Sequence, residues 1–514
     1  MKRNIRENKI LKSSIAISII VCTGKILGFF KQGVIAWAFG ASAGTDIYFA
    51  ADSYIAMFGQ IQVASISPSI LTEYIHLSEC EKKKELEVLL RKCFVVFPTI
   101  ALVLILLNIV FASQIAVMLG ISYFPEQRNE LQRFIISLCP VILFTAFSGV
   151  ANGILDANEK FVPSKLLSLF FSISIILFVF LLHSQLGVKS MLIGFLVGYG
   201  FHTLYVSVLA KQYFSFGKIS CKDTSFRRVL KNVFPLVVGN SVVDVGHLVD
   251  KIIASSLVTG SVSYLYYGQV ISNDLVNAVI ITTIGTVLLP SLTKMVANKS
   301  EGVVIADRIS EILGMVVALL IGIIGLYVVE GADLIRLFFE RGSFSSEATI
   351  HVTSIAICYA VGFVFIAIRE ILTKTHYAYR DTATPMKNGI VGVIINTVLS
   401  LILSRVIGVS GVALATSISM GAVAFMMCFS IKRHINVFPL NKRFWWSFAK
   451  AVISALIMVI IGLFLIDICN GMNFIIRMVV ISILMLIIYA VCLLCMRHEA
   501  IIDVKEIIFP KTKW

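Results

Sequence analysis

The chain has 514 residues, 58% hydrophobic and only 14% charged, where ordinary soluble domains run at roughly 45–50% apolar and about 25% charged. One water-soluble globule cannot hide that much apolar surface, and at about 20 apolar residues per membrane helix it suffices for roughly 14 spans. A soluble enzyme, a disordered scaffold and a single-pass receptor are excluded. Apolar runs place the first seven spans at 12–37, 46–72, 93–118, 132–155, 164–183, 190–210 and 233–256. The rest follow at 263–289, 309–329, 350–371, 388–404, 410–431, 448–466 and 473–495. The expected fold class is an all-α polytopic membrane protein.

The net charge of +15 suggests nucleic acid until its position is considered. Lys2, Arg3, Arg6, Lys9 and Lys12 precede the first span, and every second loop is basic. One such loop holds Lys82, Lys83, Lys84, Arg91 and Lys92; others hold Lys211, Lys218, Lys222, Arg227, Arg228 and Lys231, then Lys432, Arg433, Lys442 and Arg443. Basic residues mark the cytoplasmic side, so both termini are expected inside and no nucleic-acid partner is needed. The first span is too long for a signal peptide, contains Lys25 and Lys31, and lacks a cleavage site. The ten cysteines are scattered, and Cys492 and Cys495 lack the further ligands a tetrahedral metal site requires.

An internal repeat organises the chain. Pro68-Ser69-Ile70-Leu71-Thr72 after span 2 recurs as Pro290-Ser291-Leu292-Thr293 after span 8. Asn158 to Lys165, with Pro163 and Ser164, corresponds to Arg380 to Lys387, with Pro385 and Met386. Both prolines are displaced by 222 residues. Two six-helix lobes in the same orientation are expected at 1–215 and 216–435, with spans 13 and 14 and a tail at 436–514. Halves related by an axis along the membrane normal are a recurring transporter plan, with the site between them.

Polar residues inside the spans mark the surfaces that avoid lipid. In span 1, Gly24, Lys25, Gly28, Lys31 and Gln32 occupy an arc of roughly 120°, facing either a cavity or, if the lysines snorkel, an interface. Span 7 carries Asn240, Asp244, His247 and Lys251 within an arc of about 60°, bordered by Asp250. Span 8 carries Tyr266, Gln269, Asn273 and Asn277, flanked by Asp274. Internal ion pairs such as Asp244 with Lys251 are the alternative use of these groups. Asn396 and Ser400 in span 11 and Thr416 in span 12 would complete with Asp244 an all-oxygen set for a monovalent cation; interhelical hydrogen bonding is the plainer role. Phosphate-loop, zinc-protease and serine-hydrolase motifs are missing, and the longest outer loop, Glu330 to Ala348, leaves little room for a catalytic domain.

Several segments resemble the MurJ/MviN lipid II flippase family. They are Lys25-Ile26-Leu27-Gly28-Phe29-Phe30-Lys31, Phe39-Gly40-Ala41, Thr45-Asp46-Ile47-Tyr48-Phe49, Thr259 to Tyr267, Val287-Leu288-Leu289-Pro290 and Phe338 to Phe344. Asp381-Thr382-Ala383-Thr384-Pro385 and Gly411 to Ser417 complete the set. The resemblance implies the multidrug/oligosaccharidyl-lipid/polysaccharide exporter fold, with two lobes facing a cationic cavity and two further helices grooved for the lipid tail. It places Lys25 and Lys31 where the family has cavity arginines, Asp46 at its aspartate, and Lys374 at an arginine before the Asp-Thr-x-Thr-Pro loop. Gly59-Gln60 and Gln269-Val270 depart from its span 2 arginine pair and span 8 Asp-Arg pair. Lysine keeps the charge but loses the fork that grips phosphate in two places.

The resulting expectation is a non-enzymatic flippase of the bacterial cytoplasmic membrane, moving a polyprenyl-pyrophosphate-linked glycan, foremost lipid II, to the outer leaflet by alternating access. Its substrate contacts are expected at Lys25, Lys31, Asp46, Lys251, Gln269, Asn273 and Lys374. Partners are the glycan lipid, membrane lipids and cell-wall synthesis proteins. No cofactor is expected beyond Na+ or H+ coupling. Another undecaprenyl-linked polysaccharide unit or a cation-coupled multidrug antiporter is the alternative.

Overall fold

The computed structural model describes residues 2–120, 123–214, 224–274, 291–469 and 471–498. Helices carry the whole architecture, and no strand occurs among the described residues. In hydrocarbon a spanning segment must satisfy its own backbone, which these apolar runs do by helix formation. The first helices are α1 (Lys2–Phe39), α2 (Ala43–Glu79), α3 (Lys83–Val110), α4 (Ala112–Leu119), α5 (Pro125–Leu138) and α6 (Pro140–Ala157). They continue as α7 (Val162–Lys165), α8 (Leu167–Leu186), α9 (Lys189–Ala210), α10 (Thr224–Ser255) and α11 (Ser261–Gln269). The remainder are α12 (Gly302–Phe338), α13 (Ser346–Ala360), α14 (Phe363–Ala378), α15 (Ala383–Ile407), α16 (Val409–Ile435), α17 (Lys442–Ile468) and α18 (Phe474–Cys495).

Among the described residues, twelve helices are long and apolar enough to cross a membrane, and thirteen spans result when α13 and α14, bent by 41° at their junction, count as one. The expected span at 263–289 enters the structure as α11 and a π-turn at Val270–Asp274. Its continuation, with Asn277 and the Val287–Pro290 motif, lies outside the described residues, as do Lys218 and Lys222. One expectation needs correction. The outer segment from Glu330 is not a long loop, because α12 runs on to Phe338 and α13 begins at Ser346. Its charges are held laterally: Asp333 pairs with Arg477, and the Arg336 guanidinium lies 4.7 Å from the Phe474 ring centre.

The chain divides into two compact units, Met1–Ser263 with Gly342–Phe344, and Tyr264–Arg341 with Ser345–Trp514. In the first unit α2 lies between α6 and α10, and α8 packs on α9 and α1. Close approach rests on small residues, the usual device where lipid tails compete equally for apolar side chains. A methyl at Gly194 or Gly198 of α9 would lie 2.7 or 2.8 Å from the Ile175 or Phe171 Cα of α8. In the second unit α12 packs against α17, α15 against α16, and α17 against α18. The buried core there includes Ile309, Leu313, Val317, Met427, Met458 and Met485.

Candidate functional site

The site is built on α2, whose start is fixed by local chemistry. Ser42 caps it: the Ser42 amide donates to Thr45 Oγ1 at 2.8 Å and the Thr45 amide donates to Ser42 Oγ at 3.4 Å. This reciprocal capping box satisfies two of the helix's free donors and sets Asp46 in the first turn. Just before it, Gly40 adopts φ +60°, and Gly342 adopts φ +59° in the segment that folds against the end of α1. A side chain at Gly40 would strike the Ser343 carbonyl, and one at Gly342 would come within 2.4 Å of the Trp37 carbonyl. The Ser343 amide donates to that Trp37 oxygen at 2.9 Å. Two motifs some 300 residues apart are thus one piece of structure.

Asp46 is buried and its carboxylate accepts three hydrogen bonds. The Gly260 amide donates at 2.6 Å, the Ser263 amide at 2.8 Å and the Ser263 hydroxyl at 2.6 Å. Ser263 Oγ is also 2.8 Å from Thr45 Oγ1. Asp46 therefore fastens the corner after α10 to the head of α2.

The polar face of α10 runs antiparallel along α2. Lys251 Nζ donates to Ser53 Oγ, Asn240 donates to Ser65 Oγ at 3.4 Å, and Arg228 grips Glu73 through two nitrogens at 3.0 and 2.6 Å. This is why span 7 carries its polar residues at helical spacing: they are turned toward a neighbouring helix, away from lipid. Asp244 is half-buried on the same helix.

Lys31 is buried, with its ammonium 4.3 Å from the Phe171 ring centre on α8. Lys251 is buried too, and Asp52 of α2 interacts electrostatically with both lysines. Tyr199 on α9 senses the same carboxylate. Asp52 was absent from the sequence-derived set because it has no partner at helical spacing in its own span. The cluster Lys31, Asp52, Ser53 and Lys251 gathers three helices around charges that lipid would reject. Lys25, two turns earlier on α1, is exposed.

The second unit holds the other expected contacts. Gln269 is half-buried at the end of α11; Asn273 lies on the π-turn, its side chain outside the described residues. Lys374 is half-buried on α14 with its ammonium 5.7 Å from the Tyr377 ring centre. Asn396 and Ser400 are buried on α15, and Thr416 is buried on the adjacent α16, where its hydroxyl donates to the Val412 carbonyl at 3.1 Å. Asp244, the fourth member of that oxygen set, belongs to the first unit. In the loop after α14, burial pushes the Asp381 carboxyl up. Hydrogen bonds from Thr384, His434 and His376 outweigh it and hold the group well below the usual carboxylate range.

Comparison with known proteins agrees with this architecture. The family described as lipid II flippase MurJ matches residues 35–484. The probable lipid II flippase MurJ of Vibrio cholerae is 25% identical over 477 residues, covering 88% of each chain. The lipid II flippase MurJ of Thermosipho africanus is 27% identical over 487 residues, covering 94% of this chain and 96% of its own. A solved structure of lipid II flippase MurJ in an inward closed conformation superposes with a TM-score of 0.77 at 26% identity, covering 93% of this chain and 98% of that one. An inward-facing multidrug resistance transporter of the MATE family, in the MOP superfamily, has the same fold at a TM-score of 0.67 and 10% identity, covering 81% and 98%.

Proposed function

The chain belongs to the lipid II flippase MurJ family, and from that premise we propose that it turns lipid II from the inner to the outer leaflet of the bacterial cytoplasmic membrane by alternating access. The family is one of transporters rather than catalysts. The physical need is plain: a pyrophosphate with its sugars cannot cross about 30 Å of hydrocarbon unaided. The observation that carries the reading is the buried pair Lys31 and Lys251, both interacting electrostatically with Asp52. Between substrates Asp52 holds the two ammonium groups in place; an arriving pyrophosphate takes them over, while the polyprenyl tail stays in lipid. Lys25, on the same helix as Lys31, extends the contacts to the head group.

With both termini cytoplasmic, as the basic loops require, the Asp46 corner lies on the outer side. There it acts as a latch that must release when the head group leaves. Drive comes from a coupling cation, Na+ or H+, or from membrane potential, worth about 2.3 kcal/mol per charge at 100 mV. Cell-wall synthesis proteins are the natural recipients of the flipped product. The test is complementation: in cells depleted of their own lipid II flippase, this chain restores growth, and its Lys31→Ala and Lys251→Ala forms, present at equal level in the membrane, do not. Failure of the parent chain to rescue would redirect the reading to another undecaprenyl-linked glycan.

A further inference from the structure

Apart from the transport site, the second unit brings two imidazoles and a carboxylate to one point. His376 near the end of α14 is fully buried, and its Nδ1 lies 3.0 Å from Asp381 Oδ2. His434 in the last turn of α16 places Nε2 3.2 Å from the same oxygen. All three ligand atoms lie within 4.8 Å of one another. From the geometry we infer that His376, Asp381 and His434 form a binding site for a divalent transition-metal ion of the Zn2+ class.

The local backbone prepares the arrangement. Arg380 turns the chain in the left-handed region, and the Asp381 amide then donates to the His376 carbonyl at 2.9 Å. Asp381 Oδ1 accepts from the Thr384 amide at 3.0 Å, which leaves Oδ2 to face both rings. The His434 ring is stacked on Tyr379 at 4.8 Å between centres, so its plane is set. Nε2 of His376 is buried without a hydrogen-bond partner among the described residues. The ring's polar engagement is therefore entirely toward Oδ2.

The spacing suits an ion. Bonds of about 2.0–2.2 Å in a tetrahedron put ligand atoms roughly 3.3 Å apart. Two of the three separations, 3.0 and 3.2 Å, are already within a few tenths of an ångström of it. The third, within 4.8 Å, closes as the His434 ring, whose side chain is about one-third exposed (32%) at a helix end, slides in its own plane across Tyr379. Without the ion, a proton on each imidazole serves the same oxygen; when the ion binds, each neutral ring carries its proton on its other nitrogen, Nε2 of His376 and Nδ1 of His434. Two histidines and a carboxylate leave the fourth position to water on the exposed side. Occupancy ties the loop after α14 to the end of α16. This assignment does not depend on what the chain transports.

The test uses the full chain, free of any histidine tag, in lipid nanodiscs after treatment with EDTA. Titration with Co2+ should develop the visible absorption of a four- or five-coordinate ion, saturate at one equivalent and be displaced by Zn2+. His434→Ala should weaken Zn2+ binding by about tenfold or more, since even loss of an outer partner costs 10–100-fold. Asp381→Asn should do the same, while His351→Ala, a histidine stacked on Tyr264 elsewhere, should leave binding unchanged. Should His434→Ala prove unfolded, as its apparent Tm without metal reveals, His434→Gln replaces it. Absence of a saturable equivalent in the parent chain overturns the proposal, as does equal binding by the parent and the His434 and Asp381 variants.

Discussion

Replacing Asp46 by alanine removes the acceptor for two backbone amides and one hydroxyl. The Ser263 hydroxyl keeps Thr45 Oγ1 as a neighbour, but the amides of Gly260 and Ser263 lose their bonds. An unsatisfied buried donor costs about 1–3 kcal/mol, so the two together cost about 2–6 kcal/mol. Relief from burying a carboxylate offsets part of this, which puts the net near the lower end, at about 2 kcal/mol. Since each 1.4 kcal/mol is tenfold, the detached corner should become roughly 30-fold more populated. Hydrogen exchange of peptides covering 256–263, in nanodiscs, reads that population directly, because local opening sets the exchange rate. Ser263→Ala, which removes one bond and leaves both amides paired, should raise exchange far less. Unchanged exchange in Asp46→Ala would refute the latch.

The glycine contact predicts a split between two substitutions. Gly342→Ala combines left-handed strain of about 1–2 kcal/mol with a collision against Trp37, and should lower the apparent Tm. Gly239→Ala, in helical backbone with open space around it, should leave it unchanged or raise it slightly; equal losses would count against the contact. Arg228→Ala strands a buried Glu73 carboxylate. Because Arg228 is about half exposed (47%), the loss should fall between surface and buried pairs, about 1–3 kcal/mol. Adding Glu73→Gln should recover part of it in thermal unfolding, and no recovery would mean that Arg228 acts otherwise.

Much of the fold was legible because a membrane span advertises itself as about 20 apolar residues between polar ends. Span 7 was legible in more detail: Asn240 and Lys251 sit at helical spacing because each bonds to α2. What remained hidden depends on the third dimension. Charges at Asp333 and Arg336 read as a loop, yet they lie on a continuing helix where Arg477 and Phe474 receive them. Asp52 was invisible because its partners come from α1 and α10 rather than from its own helix. Gly40 and Gly342 each appeared in a family-like motif, and only the folded chain makes them one contact. His376, Asp381 and His434 escaped notice for the same reason, since the chain passes through two more helices before the third ligand arrives.

The central claim is that Lys31 and Lys251 take over the substrate's pyrophosphate. Reconstituting the purified chain in vesicles carrying lipid II in one leaflet, and measuring arrival of its head group in the other, tests this directly. The parent chain should move lipid II well above protein-free vesicles; Lys31→Ala and Lys251→Ala should each slow it by about tenfold or more, the scale of one lost charge-assisted contact, and Lys31→Arg should retain movement. Equal rates for the parent and both alanine variants would contradict the account.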